Sequence, residues 1–254
     1  MGFLRVRDVS VRFDGIVALD RVSFEVRRGD ICGLIGPNGA GKTTFFNWVS
    51  RLYRVDAGSI ELEGRSLLGL APHQIAYLGV GRTFQNLALF RTMSVRDNIL
   101  TGGHARSRGG FLANAFRLVV AAGQERRLNE IVDRLLVDLD LGDVAHAAVA
   151  TLPFATRKRV ELARALASEP RLLLLDEPAG GLDHEEVERL RELLCALRDR
   201  HALTILMVEH HLGLVMRSCE HVVALDFGRV IAQGTPEEMR QHPEVIRAYL
   251  GTAS

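Results

Sequence analysis

The chain has 254 residues, enough for one large domain or for a core with a subdomain. Its hydrophobic content of 47% and charged content of 25% are ordinary for a globular protein, and its net charge of +1 predicts no nucleic-acid partner. Three cysteines, Cys32, Cys195 and Cys219, form no C-x-x-C pair, so we expect reduced thiols in a cytosolic protein. The charged, alternating first ten residues argue against a signal peptide, and the apolar runs are too short to span a bilayer. We therefore expect any membrane association to go through a partner.

Alternation of apolar and polar residues at the start of the chain predicts strands with one buried face, over residues 4–13 and 22–26. Phe13 ends the first of these runs. Its ring is placed either to pack in the core, as strand aromatics commonly do, or to stack on the base of a nucleotide. The sequence leaves both interpretations open.

A glycine-rich segment follows the apolar residues 31–35, which predict a buried strand, and precedes a predicted helix over residues 44–52. It fits the phosphate-binding pattern G-x-x-x-x-G-K-[ST], in which backbone N–H groups surround a phosphate. We expect Lys42, one of only two lysines in the chain, to reach the β- and γ-phosphates, and the Thr43 hydroxyl to bind Mg²⁺. The predicted binding segment is Gly36, Pro37, Asn38, Gly39, Ala40, Gly41, Lys42, Thr43 and Thr44.

The next two segments predict smaller features. Residues 58–68 predict a strand and a turn, and thus a small antiparallel unit beside the nucleotide. Residues 77–80 look strand-like and lead to Gln85, whose amide is placed either to reach Mg²⁺ and the attacking water or to lie on the surface.

From residue 94 to about residue 150 the sequence becomes helical. Val95 and Ile99 open a helix, Gly102 and Gly103 indicate a loop, and residues 125–139 predict an amphipathic helix. We expect a helical subdomain inserted into an α/β core. The predicted units are the core with its antiparallel β subdomain over residues 1–93, the helical subdomain over 94–165, and the rest of the core over 166–254.

Four consecutive leucines, residues 172–175, predict a central parallel strand buried on both faces. Asp176 and Glu177 follow at its carboxyl end, where open α/β sheets bind ligands. We expect Asp176 to hold Mg²⁺, directly or through water, and Glu177 to act as a general base toward the attacking water. His210 follows another predicted strand, residues 204–208, and could contact the γ-phosphate from the same edge.

In this order these features resemble an ATP-binding cassette (ABC) ATPase over almost the whole chain. Phe13 resembles the adenine-stacking aromatic, residues 36–44 Walker A, Gln85 the Q-loop, residues 172–177 Walker B, residues 181–183 the D-loop, and His210 the switch histidine. Residues 81–86, 208–210 and 246–251 resemble the ATP-binding subunits of branched-chain amino acid importers.

The resemblance implies a RecA-like α/β P-loop core with an antiparallel β subdomain and a helical subdomain. It implies hydrolysis of ATP with Mg²⁺, which would drive uptake of branched-chain or related amino acids or amides. The implied partners are a second ABC subunit, the coupling helices of membrane permeases, and indirectly an extracytoplasmic solute-binding protein. The chain would then lie peripherally on the inner face of the cell membrane.

One segment departs from the family, whose signature reads Leu-Ser-Gly-Gly-Gln. The aligned residues here are Leu152, Pro153, Phe154, Ala155 and Thr156. In the family the serine hydroxyl and a glycine N–H contact the γ-phosphate held by the opposite subunit. Pro153 offers neither a hydroxyl nor an N–H group, so this contact is expected to be impaired.

Two other functions remain to be weighed against an importer subunit. A soluble cassette acting on DNA or the ribosome would carry a long coiled-coil insert or two cassettes in one chain, and this sequence has neither. A non-hydrolysing structural cassette would agree with residues 152–156 but not with the presence of Lys42, Asp176 and Glu177.

Overall fold

The computed structural model describes residues 2–51, 57–83, 87–104 and 118–250. The strands are β1 (Leu4–Phe13), β2 (Ile16–Val26), β3 (Ile31–Ile35), β4 (Ala57–Leu62), β5 (Arg65–Ser66), β6 (Val80–Arg82), β7 (Leu172–Asp176), β8 (Thr204–Val208), β9 (His221–Asp226) and β10 (Arg229–Gly234). The helices are α1 (Lys42–Val49), α2 (Pro72–Tyr77), α3 (Val95–His104), α4 (Leu118–Asp138), α5 (Phe154–Leu166), α6 (His184–His201), α7 (Leu212–Ser218), α8 (Pro236–Gln241) and α9 (Pro243–Leu250).

A six-stranded sheet with the order β10-β9-β3-β8-β7-β6 forms the core. Its strands are parallel except β10, which pairs antiparallel with β9 at one edge. Every residue of β3, β7 and β8 is buried, as the four-leucine run predicts for a strand covered on both faces. Because these three strands are neighbours and parallel, the loops that follow them leave the same edge of the sheet.

A four-stranded antiparallel sheet with the order β2-β1-β4-β5 lies beside this core and confirms the predicted antiparallel unit. Helix α1 packs between the two layers. The ring centroid of Phe45 lies 5.2 Å from that of Phe24 in β2 and 5.9 Å from that of Trp48. This helix begins at Lys42, directly after Gly41, and not at the predicted residue 44.

Helices α3, α4 and α5 lie between β6 and β7 in the chain, where the helical insertion was predicted. The predicted apolar face of α4 is confirmed: Ile131, Val132, Leu135, Leu136 and the adjoining Leu139 are each at most 7% exposed. Among the described residues, no helix has both the length and the apolarity required to cross a bilayer.

Two predictions about local structure were wrong. Residues 77–80 do not form a strand: Tyr77 ends α2, which has Pro72 at its first position, and β6 begins only after Gly79, whose φ is +81°. Gly102 and Gly103 lie inside α3 instead of in a loop. A Cβ atom on Gly102 would overlap the carbonyl oxygen of Arg164 in α5, so close packing of two helices requires glycine there.

Replacing Gly102 by alanine is therefore expected to destabilise the protein by about 1–3 kcal/mol, because the added methyl group forces α3 away from α5. Gly123→Ala in α4 is the matched control, since a Cβ there meets nothing within 4 Å. The control should stabilise the protein by about 0.5–1 kcal/mol through helix propensity. Urea unfolding of both variants measures the difference, and equal stabilities would contradict this account of the packing.

Candidate active site

The phosphate loop joins β3 to α1 and has a backbone that side chains would not permit. Gly36 has a φ of +151°, and a Cβ on it would overlap the carbonyl oxygen of Leu225 in β9. Gly41 has a φ of +99°, and its Cβ would lie 2.7 Å from the carbonyl oxygen of Ala18. Both ends of the loop therefore need glycine, because the backbone has a positive φ there and no space is left for a Cβ atom.

The Lys42 side chain lies across this loop and is only 5% exposed. Its Nζ donates hydrogen bonds to the carbonyl oxygens of Gly36, at 2.6 Å, and Pro37, at 2.8 Å. Burial lowers the pKa of Lys42, and the carboxylates of Glu177 and Asp176 act in the opposite direction. The ammonium group therefore lies at the centre of the loop, within the electrostatic reach of both acids at the end of β7.

Asp176 is 3% exposed and paired with Arg82, for which the sequence predicts no role beyond membership of residues 81–86. The Arg82 Nη2 atom lies 3.1 Å from Asp176 Oδ2 and 2.8 Å from Asn47 Oδ1 in α1, while Nη1 donates to Ser50 Oγ at 2.9 Å. Burial raises the pKa of Asp176, and the Arg82 hydrogen bond lowers it. Arg82 thus connects the acid at the end of β7 to the helix that follows the phosphate loop. The sequence signal for this role was a cation at the end of a strand adjacent to β7.

The second carboxylate oxygen of Asp176 suits a metal ion. Oδ1 is buried and has no hydrogen-bond partner among the described residues. Those residues also contain no cluster of three or more histidine, cysteine or acidic side chains able to hold a metal. Mg²⁺ commonly takes one or two protein oxygens and completes its shell with phosphates and water, so Asp176 and the exposed Thr43 fit this ion.

Glu177 and His210 meet in front of the same sheet edge. Glu177 Oε1 lies 2.7 Å from His210 Nε2, and both side chains are partly exposed. Glu177 has a φ of +50°, an unfavourable backbone conformation for a residue with a side chain. Its backbone is held by Val208, whose carbonyl oxygen accepts from Glu177 N at 2.9 Å, and by Lys158, whose Nζ donates to Glu177 O at 3.2 Å. Backbone strain that the surroundings maintain is typical of functional positions.

Glu209 holds the loops around Glu177 and His210, a role that the sequence does not predict. The side chain is 2% exposed, and Oε1 accepts from the backbone N–H of Ala179 at 2.6 Å. Oε2 accepts from the backbone N–H groups of His210, at 2.9 Å, and His211, at 3.0 Å. One buried carboxylate therefore connects the segment after Glu177 with the loop after β8. The signal in the sequence was an acid placed directly after the apolar run 205–208.

The two adjacent histidines have different surroundings. His210 faces Glu177, whereas His211 Nδ1 accepts a hydrogen bond from Leu214 N at 3.2 Å and caps α7. The two side chains therefore face different ways.

Two other predicted site residues are Phe13 and Gln85. Phe13 ends β1 and is 40% exposed, so its ring does not belong to the buried core, and the core interpretation is wrong. Its stacking role stays a prediction. Gln85 falls in residues 84–86, outside the described part of the chain.

The segment aligned with the family signature forms the start of α5. The helix begins at Phe154, with Pro153 as its N-cap. Pro153 provides no side-chain cap. The Phe154 ring lies against Gly181, where an added Cβ would be 2.9 Å from Cε1, and Lys158 Nζ lies 5.6 Å from the ring centre. An aromatic ring thus occupies the surface where the family has a glycine.

Comparison with known proteins identifies relatives along the whole chain. The ABC transporter family matches residues 19–180, and the branched-chain amino acid ATP-binding cassette transporter family matches residues 229–254. The high-affinity branched-chain amino acid transport ATP-binding protein BraF of Pseudomonas aeruginosa is 40% identical over 250 residues, 98% of each chain. The corresponding protein LivG of Salmonella typhimurium is 42% identical over 253 residues, again 98% of each chain. The ADP conformation of MJ1267, an ATP-binding cassette of an ABC transporter, superposes with a TM-score of 0.87 at 27% identity and covers 99% of both chains.

Proposed function

This chain belongs to the ABC transporter family, and we propose that it is the ATP-hydrolysing subunit of an importer for branched-chain or related amino acids or amides. One observation carries the proposal. The phosphate loop with Lys42, the Asp176–Glu177 pair and His210 follow three adjacent parallel strands and face one another at one sheet edge. Identities of 40% and 42% to branched-chain amino acid cassettes over nearly the full chain support the choice of solute.

Binding of ATP would use the loop and its surroundings. The N–H groups of residues 36–44 and the N-terminal end of α1 attract phosphate, because both present partial positive charge. Lys42 would contribute its ammonium to the β- and γ-phosphates, and Phe13 would stack on adenine. Asp176 and Thr43, with Gln85, would hold Mg²⁺, which when bound neutralises charge on the β- and γ-phosphates.

Hydrolysis requires a base and a group that orients it. Glu177 would accept the proton of the attacking water, and the 2.7 Å contact with His210 holds its carboxylate in place. His210 is also the residue we assign to the γ-phosphate. Glu209 fixes the backbone at both His210 and Ala179. It would thereby keep Glu177 and His210 in position relative to the phosphate loop.

The assembly we propose follows from the family. Residues 94–165 would form a helical subdomain that, with the Gln85 region, receives the coupling helices of the permease. A second cassette would close over the bound ATP, and a solute-binding protein would act on the far side of the membrane. The chain would work peripherally on the inner face of the membrane.

One observation favours a second candidate, a weakly active or non-hydrolysing partner in a heterodimer. Pro153 and Phe154 begin α5 where the family has Ser-Gly, so the surface offered to the opposite ATP lacks a hydroxyl and a close backbone approach.

The experiment that tests the proposed function uses Glu177→Gln. This change keeps the shape of the side chain and removes the base, so ATP should still bind while hydrolysis falls roughly 100-fold or more. An ATP-bound dimer should accumulate. Lys42→Ala is the contrasting variant, because it should lose tight binding of Mg-ATP. Phosphate release and nucleotide binding measure the two effects, and unchanged turnover in Glu177→Gln would show that Glu177 is not the base.

The histidine pair gives a second prediction. His210→Ala should abolish hydrolysis, because it removes the partner of Glu177. His211→Ala should keep most of it and lose stability of about 1 kcal/mol, because only the cap of α7 is lost. Parallel ATPase and urea-unfolding measurements separate the effects, and the reverse ranking of activities would exchange the assignments of the two residues.

Residues 152–156 predict asymmetry between the two ATP sites of a dimer. The isolated chain should show weak ATPase activity, since each missing donor to a developing phosphate charge costs roughly 100- to 1,000-fold in rate. In a heterodimer, this chain's own ATP would face the partner's intact signature. Glu177→Gln here should therefore impair transport far more than the equivalent change in the partner.

Repair of the signature tests the same point directly. Pro153→Ser combined with Ala155→Gly should raise the ATPase activity of the isolated chain. Pro153→Ala is the matched control, because it restores the backbone N–H without a hydroxyl, and it should give a smaller gain. Brisk hydrolysis by the unmodified homodimer would refute the argument and assign the missing contacts to backbone groups around Phe154.

A further inference from the structure

The first residue of the phosphate loop is contacted by the C-terminal helix. The backbone N–H of Gly36 donates a 2.8 Å hydrogen bond to the phenol oxygen of Tyr249 in α9, 213 positions along the chain. The carbonyl oxygen of the same glycine accepts from Lys42 Nζ at 2.6 Å. Gly36 is thus held on its carbonyl side by the loop's own lysine, and on its N–H side by a helix that belongs to a different part of the chain.

There is little freedom for Gly36 to move elsewhere. A side chain at this position would collide with the carbonyl oxygen of Leu225, so β9 forms a wall against it. Its φ of +151° is open to glycine but unfavourable for other residues. The direction of the Gly36 N–H is therefore fixed by a tight backbone, and in the described part of the chain the phenol of Tyr249 is the group that accepts it.

Helix α9 is in turn held by packing. It has only eight residues, and such short helices depend on tertiary contacts for their stability. Val245 is 5% exposed, Tyr249 packs against the main apolar core, and the helix lies against α8 and β10. Burial raises the pKa of Tyr249 to about 12, so the phenol stays neutral and the contact persists throughout the physiological pH range.

We propose that Tyr249 is a positioning residue for the phosphate loop, and that docking of α9 sets the affinity of this cassette for ATP. The inference rests on the proposed binding of ATP at residues 36–44. Loss of the phenol oxygen leaves the Gly36 N–H without its partner in a part-buried place, so the observed conformation of the loop loses stability relative to other conformations. The nucleotide must then order the loop itself, which weakens binding.

The coupling is reciprocal. If docked α9 favours ATP binding, bound ATP must favour docked α9 by the same factor, because the two equilibria are linked. Nucleotide binding is therefore expected to protect a helix that touches no phosphate. This consequence distinguishes a positioning role from a purely structural one, since a helix that only packs on the core would not respond to ATP.

The first test is Tyr249→Phe, which removes one oxygen and keeps the ring. The Kd for Mg-ATP should rise about 3- to 10-fold, corresponding to the loss of one hydrogen bond, with a matching rise in KM and a smaller change in kcat. Tyr77→Phe is the matched control, because it removes a hydroxyl from a tyrosine at the end of α2, and its Kd should equal that of the unmodified chain. Equal Kd values for Tyr249→Phe and the unmodified chain would overturn the proposal.

The second test uses the unmodified full chain. Amide hydrogen exchange in residues 243–250 should slow about 3- to 10-fold on addition of saturating Mg-ATP, and should not respond in Lys42→Ala. If Mg-ATP leaves the exchange rate of α9 unchanged but slows exchange in the phosphate loop, the inference is overturned and the proposed function stays intact. Absence of any Mg-ATP binding to the unmodified chain would instead refute the proposed function.

Discussion

Adjacency of β3, β8 and β7 in one parallel sheet is the constraint on which the site depends. Each strand is buried over its whole length, so a shift of its register would disturb close packing on both faces of the sheet. The phosphate loop, the Asp176–Glu177 pair and His210 therefore emerge side by side, although more than 160 residues of chain separate the first from the last. Each of these polar groups is positioned by the buried strand that precedes it in the chain: β3, β7 or β8.

The buried charged side chains at this edge already have hydrogen-bond or ion-pair partners within the protein, before any ligand binds. Lys42 is bound by two carbonyl oxygens, Asp176 by Arg82, and Glu209 by three backbone N–H groups. An unpaired buried charge would cost several kcal/mol, so these contacts allow the site to exist in advance of the nucleotide. The exception is Asp176 Oδ1, and that atom is where the proposed cation would add its charge. Preorganisation of this kind is what phosphoryl transfer requires, because its catalysis is mostly positioning and electrostatics.

Sequence patterns predicted most of this fold because the signals were local. The four leucines before Asp176, the alternating N-terminal strands and the apolar face of α4 each report burial directly. Gly102 and Gly103 were wrongly predicted to lie in a loop because glycine has a low helix propensity. In the fold they allow neighbouring helices to pack closely, and no local sequence pattern indicates that contact. Arg82, Glu209 and Tyr249 were missed for the same reason. These roles depend on contacts with residues 30 to 213 positions away, and only the folded chain brings those partners together.

The central claim is that this sheet edge binds one Mg-ATP per chain. Isothermal titration of the purified, nucleotide-free protein with ATP, with and without Mg²⁺, tests it most directly. The account predicts one ATP per chain, with tighter binding when Mg²⁺ is present, because Asp176 and Thr43 then contribute through the cation. Absence of saturable ATP binding, or binding that is indifferent to Mg²⁺, would contradict it.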